Sequence, residues 1–449
     1  MERELIERYS RPVPRYTSYP TAPHFHAGVG NGLYRSWLRA LPAEAGLSLY
    51  LHIPYCDRLC WFCGCHTKQT LRYEPIAAYL KALFAEIEAV AREAAGRGKV
   101  VAVHFGGGSP SMLRPDDIVA LDAKLRANFV FAGDLEYSIE MDPNDMDEAR
   151  YDALGAIGIT RASLGVQDFD PRVQVAVNRI QSFEQTRDVV MAMRKRGVRS
   201  VNLDVLYGLP HQSVDTVLAT IEQVLSLDPD RVAAFGYAHV PWMKAHQKMI
   251  DEAALPDIHA RFEQARAAGA ALVAAGYQAV GMDHFAKPSD GLAVAARQGV
   301  LHRNFQGYTT DAATALIGLG ASAISQLPGG YAQNIVATGE YQKAAMSSGM
   351  AIAKGIALDA GDRARAYVIE RLMCDFGVSR PRLVAQFGPL AEPILAEMEL
   401  AVANDRDGLL EFGGDVFAVR DKGQPFVRSI AALFDARLLV AGARYSLAV

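Results

Sequence analysis

The 449-residue chain predicts an α/β protein built on parallel strands, either an open sheet or a partial barrel, and three observations carry that prediction. From residue 47 to about 238, short apolar runs alternate with amphipathic helical stretches. Several of the runs are nearly continuous in apolar residues, as expected of parallel strands covered on both faces. The unusual polar and glycine-rich residues lie where each run ends. Strand–helix repetition at this spacing makes right-handed βαβ units, whose functional residues gather at the C-terminal ends of the strands.

In order, the predicted strands are 47–53, 100–105, 136–141, 161–166, 200–207 and 231–237, with helices over 76–97, 116–128, 183–196 and 214–225 between them. The strand ends read His52-Ile-Pro-Tyr-Cys56, Gly106-Gly-Gly-Ser-Pro110, Glu140-Met-Asp-Pro143, Gly165-Val-Gln-Asp-Phe169, Asp204 with Tyr207-Gly-Leu-Pro210, and Tyr237-Ala-His239. Chance decorates one or two strand ends; six in succession point to one shared site. Residues 1–40 hold too many prolines for a helix or a central strand and read as an extended arm. Residues 41–350 form the main domain. Residues 351–449 are expected to form a C-terminal domain, whose texture turns helical from about Leu358, with a hairpin signalled by Gly413-Gly414 and a last helix, a pattern compatible with a winged helix.

Net charge is −4 and the pI about 6.3, which argues against nucleic acid as the main partner. An anionic small substrate needs only a local basic lining. The first ten residues alternate charges without an apolar core, and the longest apolar stretch, 267–282, is short, rich in Ala and Gly and interrupted by Gln278. The expectation is a cytoplasmic protein without a membrane span.

Four of five cysteines fall between Cys56 and Cys65, which points to metal or catalysis rather than a disulfide framework. Cys374 sits at helical spacing among apolar residues and reads as core. The run Cys56-Asp-Arg-Leu-Cys60-Trp-Phe-Cys63-Gly-Cys65 is C-x3-C-x2-C-x-C. Three thiolates on a loop leaving a strand wrap a cubane without surrounding it, so one iron of a [4Fe–4S] cluster keeps an open position. S-adenosylmethionine offers that iron an amino–carboxylate pair, and one electron then breaks its sulfonium bond to leave a 5′-deoxyadenosyl radical. Two alternatives stand beside this reading. Structural zinc would draw on His52 or His66 but prefers separated ligand pairs; an electron-transfer cluster would need Cys65 as fourth ligand, awkwardly close to Cys63.

The C-x3-C-x2-C core resembles that of the radical S-adenosylmethionine superfamily. The wider chain is similar to the oxygen-independent coproporphyrinogen III oxidases (coproporphyrinogen III dehydrogenases). The matching segments are Pro14-Arg-Tyr-Thr-Ser-Tyr-Pro-Thr, Tyr50-Leu-His-Ile-Pro-Tyr-Cys, Cys65, Gly106-Gly-Gly-Ser-Pro, Gly165-Val-Gln-Asp-Phe, Gly281-Met-Asp-His-Phe-Ala and His302-Arg-Asn-Phe-Gln-Gly-Tyr-Thr-Thr. The resemblance implies a partial (β/α)6 TIM-like barrel with an N-terminal arm and a smaller, mainly helical C-terminal domain. It implies oxidative decarboxylation of two propionates of coproporphyrinogen III to vinyls, giving protoporphyrinogen IX in haem biosynthesis. A propionate β-C–H bond is too strong for acid–base chemistry by a side chain; a primary alkyl radical abstracts that hydrogen, and loss of CO2 and an electron yields the vinyl.

By the same resemblance, Cys56, Cys60 and Cys63 bind the cluster, and Tyr50, Gly107 and Glu140 contact S-adenosylmethionine bound to it. A second S-adenosylmethionine is implied at Phe62, Gly108, Ser109, Gln167, Arg179, Asp204, Ala238 and Ile324. Cys65 is implied to be needed without binding iron. Arg15, Arg303 and Gln306 are the expected substrate contacts, since a tetracarboxylate requires focused positive charge on an acidic protein. The reaction also needs an electron donor and acceptor, which leave no trace in the sequence. Two other functions compete. A haem chaperone of the same superfamily keeps the three cysteines but typically lacks the trailing cysteine, the arm and the His302–Thr310 segment, all present here. A nucleic-acid-reading C-terminal domain has no dense basic stripe to support it.

Overall fold

The computed structural model describes residues 2–438 and residue 445. Its core is a curved twelve-stranded sheet. The six predicted parallel strands are all present: β1 Gly46–Ile53, β2 Lys99–Gly107, β3 Phe131–Met141, β4 Arg161–Gln167, β5 Ser200–Tyr207 and β6 Arg231–Gly236. They lie side by side in chain order, each parallel to the next. Four helices fall close to their expected places, at Glu74–Ala94, Pro115–Asn128, Phe183–Lys195 and Val214–Ser226. The last two begin at Ser182 and Ser213, each closing a reciprocal capping box with the residue three positions on.

Beyond β6 the sheet continues through antiparallel β7 Gln278–Val280 and β8 His284–Ala286, in the order β6–β8–β7. On the other side of β1 lies a seventh parallel strand, β9 Ala315–Leu319, followed by antiparallel β10 Ile324–Leu327, β11 Gly330–Asn334 and β12 Ile352–Ala357. The parallel part is thus a TIM-like partial barrel, left open and extended at both edges by antiparallel strands.

Of the six predicted strands, only β1 is buried on both faces over nearly its whole length, as is its neighbour β9. In β4 and β5 buried residues alternate with half-buried ones. One face, with Ala162, Leu164, Val201 and Leu203, packs on the helices, whereas Ser163, Asn202 and Asp204 lie on the other. Continuous apolarity therefore overstated the burial: the barrel encloses a polar lumen, and the polar side chains line it.

Two expectations need correction. Residues 1–40 are not extended throughout, because helices Glu2–Tyr9 and Asn31–Arg39 flank the proline-rich stretch, which alone is free of helix except for the short turn Ala22–His24. The boundary at 350 falls too early, since β12 (Ile352–Ala357) belongs to the large sheet and the helical domain starts at Ala360. That domain holds helices Ala360–Asp375, Arg380–Phe387 and Ala391–Ala403, then the hairpin Leu410–Gly413/Val416–Val419, to which Gly377–Ser379 adds a third strand. The hairpin turns at Gly414-Asp415, one residue later than expected, with Gly414 at φ 60°. Cys374 is buried beside Tyr308, as core. Residues 439–444 and 446–449 of the expected C-terminal domain lie outside the described residues.

Candidate active site

The cysteine loop leaves β1 over the C-terminal end of the sheet. Gly108 N–H donates to the Ile53 carbonyl (2.8 Å) and Ser109 N–H to the Tyr55 carbonyl (2.7 Å), so the loop after β2 runs hard against the strand that delivers Cys56. A Cβ at Gly108 would stand 2.6 Å from the Tyr55 oxygen, and one at Gly107, whose φ is +111°, 2.5 Å from the His52 ring. The glycines are thus demanded by the protein's own packing, whatever else approaches them. The Ser109 hydroxyl donates to Asp145, inside the protein rather than into the lumen.

Two further segments hold the cysteine loop; sequence reasoning singled out only Arg179 in the first and passed over the second. On one side, Asn178 Nδ2 donates to Leu59 O (2.9 Å), Trp61 N–H to Val177 O (2.9 Å), and Arg58 Nη1 to Ile180 O (3.2 Å). On the other, Gln247 Nε2 donates to Phe62 O and Lys244 Nζ to Cys65 O (both 2.9 Å), and His246 Nε2 to Cys63 O (2.7 Å). Gln247 also donates to Ala238 O (3.2 Å), which brings Phe62 and Ala238 together. Three side chains from one short turn, 244–247, thereby fix the carbonyls of the metal-binding loop.

Arg179 is the hub beneath. Its Nη1 lies 3.1 Å from Asp142 Oδ2 and 3.7 Å from Cys60 Sγ; its Nη2 donates to Gly165 O (2.7 Å) and Gln181 Oε1 (3.0 Å). These bonds leave only Nε without a partner among the described residues, so the side chain is spent chiefly on scaffolding. Gln167 sits at a bulge of β4 with φ +67°, and its amide folds back over Gly165, next to Arg179. A non-glycine residue held in this region is strained, a feature concentrated at functional sites.

Across the lumen, Tyr50 OH donates to His52 Nδ1 (2.9 Å), and His52 Nε2 to His66 O (2.9 Å). Burial pushes His52 down to about 4, which keeps it the neutral acceptor Tyr50 needs. Tyr50 stacks on His104 at 5.8 Å and meets Phe305 edge-on at 5.4 Å. Phe305 lies in the turn of the ribbon His302–Asn304/Gly307–Thr309, next to Gln306, which is exposed and whose N–H donates to Asn304 Oδ1 (2.8 Å). Glu140 accepts from Gly107 N–H (2.9 Å) and His104 Nε2 (3.2 Å). Burial would raise this carboxyl, but the His104 and Gly107 bonds outweigh it and hold it below the usual carboxylate range. Asp204 is pushed up to about 6 by burial, despite a 2.7 Å bond from Asn202 Nδ2. Ile324, on β10, packs with Phe25, Tyr331 and Ile356. Arg15 and Arg303 meet where Arg303 Nη2 donates to Arg15 O (3.4 Å).

The donor set fits an iron–sulfur cluster. Cys56, Cys60 and Cys63 are free, and burial followed by the neighbouring thiols Cys63 and Cys60 pushes Cys56 up. Burial also raises Cys60 despite Arg179, whereas the hydrogen bond with Cys65 lowers Cys63 to about 7; buried, crowded thiols such as Cys56 and Cys60 are relieved by a multivalent metal group. Cys65 is exposed, and its backbone N–H lies 3.4 Å from Cys63 Sγ. Beside this loop, the lumen offers carboxylates (Glu140, Asp204) and open backbone suited to an aminoacyl nucleoside.

Fold and site together define a radical S-adenosylmethionine enzyme: residues 50–224 match the Radical SAM superfamily model. The chain is 47% identical over 439 residues to the oxygen-independent coproporphyrinogen III oxidase of Bradyrhizobium diazoefficiens, covering 98% of each. It is 44% identical to that of Paracoccus denitrificans, covering 96% of each. Coproporphyrinogen III oxidase from Escherichia coli, a radical SAM enzyme of solved structure, superposes with a TM-score of 0.91 at 39% identity, over 95% of this chain and 100% of that one. The chain belongs to the oxygen-independent coproporphyrinogen III oxidase family. Its cofactors are a [4Fe–4S] cluster and S-adenosylmethionine.

Proposed function

We propose that this chain converts two propionates of coproporphyrinogen III to vinyls without oxygen, giving protoporphyrinogen IX for haem biosynthesis. The observation that carries the reading is the polar lumen, with three clustered thiols over the C-terminal end of the sheet and guanidinium groups gathered beside them at the ends of β5 and β6, in a chain that aligns with its relatives nearly end to end. Cys56, Cys60 and Cys63 hold the cluster. When bound, the cluster and S-adenosylmethionine supply one-electron chemistry that takes a hydrogen atom from an unactivated carbon. Tyr50, kept donating by neutral His52, and ionised Glu140 orient the ammonium and ribose of the cofactor, and Gly107 lets it approach.

A second S-adenosylmethionine occupies the side bounded by Phe62, Gly108, Gln167, Asp204 and Ala238. Ser109 and Arg179 support that wall from behind. Ile324, whose backbone lies against Gly318, the partner of Tyr50 in β1, belongs to the same subsite. Arg15, Arg303 and Gln306 meet the substrate. Cys65, exposed two residues beyond the last cluster thiol, acts without binding iron. Among the described residues no helix is long and apolar enough to cross a membrane, and four free thiols on one loop suit the reducing cytoplasm. An external electron donor and acceptor complete the reaction.

The test is anaerobic reconstitution followed by reductant, S-adenosylmethionine, coproporphyrinogen III and an electron acceptor. Protoporphyrinogen IX and CO2 are the expected products. 5′-Deoxyadenosine without a vinyl product would overturn the oxidase reading, and haem binding without turnover would favour the chaperone. Cys65→Ser is expected to keep full iron content and lose vinyl formation; loss of iron would make Cys65 a ligand instead.

A further inference from the structure

Four arginines from distant parts of the chain converge on the mouth of the lumen at the ends of β5 and β6. Arg15 Nη2 donates to Gly236 O (3.3 Å), and Arg261 Nη2 to Tyr237 O (2.7 Å). Arg303 Nη2 donates to Arg15 O (3.4 Å), while Arg428 donates to Pro14 O (3.2 Å) and Val13 O (2.6 Å). The Tyr207 hydroxyl joins them, since a Cβ at Gly236 would lie 3.0 Å from it. Every acceptor named is a backbone carbonyl, which orients a guanidinium without cancelling its charge. For Arg15, Arg261 and Arg303, no carboxylate lies within ion-pair distance among the described residues.

The neighbouring acid is Asp283, and its Oδ1 is engaged by His284 Nδ1 at 2.7 Å. Arg261 Nε and Arg303 Nε and Nη1 are buried with no hydrogen-bond partner among the described residues. Charges drawn out of water and left unpaired cost several kcal/mol each unless a ligand supplies the missing acceptors. Burial lowers Arg261 and, with the charges of Arg15 and Arg303, pushes Arg428 down to about 9, whereas Tyr308 and Asp283 outweigh burial and raise Arg303; Arg15 itself stays exposed at the mouth.

We propose that Arg15, Arg261, Arg303 and Arg428, with the Tyr207 hydroxyl, form a polycarboxylate receptor that grips the propionates not undergoing reaction and so aims the reacting one down the lumen. This rests on the oxidase reading. Arg261 and Arg428 are its new members. One comes from the helix Ile258–Ala274 and the other from the C-terminal domain, so arm, barrel and C-terminal domain all contribute charge to one ligand.

The test uses coproporphyrin III, the aromatic tetracarboxylate, as an unreactive probe in equilibrium binding to the reconstituted full chain, with its tetramethyl ester as the uncharged comparison. Arg261→Gln and Arg15→Gln are expected to weaken porphyrin binding about ten- to hundredfold each. Both should keep their iron content, and Arg261→Lys should recover part of the loss. Wild-type binding is expected to weaken with salt and to fail for the ester. Unchanged affinity in both Gln variants, or equal binding of acid and ester, would overturn the receptor while leaving turnover of coproporphyrinogen III, and hence the oxidase reading, intact. A wild-type chain that binds the acid but forms no vinyl product would overturn the oxidase reading and leave the receptor standing.

Discussion

Gly108→Ala tests whether the contact between the strands beneath the cysteine loop is what shapes the metal site. An added Cβ would meet three backbone atoms at once: Tyr55 O at 2.6 Å, Tyr55 N at 2.8 Å and Ile53 O at 2.9 Å. Backbone cannot swing aside as a side chain does, so the loop after β2 must lift. Lifting breaks the Gly108-to-Ile53 and Ser109-to-Tyr55 hydrogen bonds. Two such bonds contribute about 1–3 kcal/mol, and relieving the overlap costs about 1–3 kcal/mol more. The expected total is about 2–6 kcal/mol, borne by the turn that delivers Cys56. Iron and sulfide per chain after anaerobic reconstitution should fall several-fold, with far-ultraviolet circular dichroism little changed. Gly133→Ala, where an added Cβ meets nothing within 4 Å, is the control and should retain wild-type iron. Wild-type iron and thermal stability in Gly108→Ala would refute the argument that protein packing, rather than a ligand, demands this glycine.

Two further outcomes follow from buried carboxyls. Asp204 titrates near 6 in the folded chain, above its unfolded value, so the native state holds the proton longer and stability falls as pH rises from about 4 to 6. Asp204→Asn should therefore melt higher than wild type above pH 6 and equally below pH 4, by about 1–3 kcal/mol at most; a gain confined to acid pH would refute this. Glu86 accepts from Gly320 N–H (2.7 Å), Tyr341 OH and Asn334 Nδ2 (both 2.6 Å), and Gly320 packs against the His52 carbonyl at the end of β1. A glutamine there turns one acceptor into a donor facing the Asn334 amide. Glu86→Gln should cost about 1–3 kcal/mol in thermal melts and speed amide exchange at Gly320 and Ala321; unchanged exchange would separate Glu86 from the cysteine-bearing strand.

Much of this was legible in the chain, because βαβ units are local. The strand predicted over 200–207 is Ser200–Tyr207, and the six strand ends do surround one lumen. What could not be read was non-local pairing. Nothing near Leu47 announces that β9 will join β1 from the far side, at Leu47↔Ala315. The clamp on the cysteine loop comes from Lys244, His246 and Gln247, whose polar types resemble any surface turn. Arg261 lies beside Glu263 and Arg266 in the sequence, and only the fold turns it toward Tyr237. Asp204 was legible as a strand-end acid, but its raised titration depends on enclosure, which sequence does not show.

The arm crossing the barrel mouth has a consequence for how the protein is made. Tyr16 OH donates to Asp435 Oδ2 (3.0 Å) and Arg428 grips Pro14, contacts that span more than 400 positions of chain. A ribosome adding about 5–20 residues per second needs roughly 20–80 seconds to travel from one partner to the other. Throughout that interval the early segment lacks these two contacts. The mouth acquires its four arginines together only once residue 428 has been made, so a chain stalled at residue 420 would carry Cys56, Cys60 and Cys63 and hold its arm by Gly236 and Arg303 alone at that mouth.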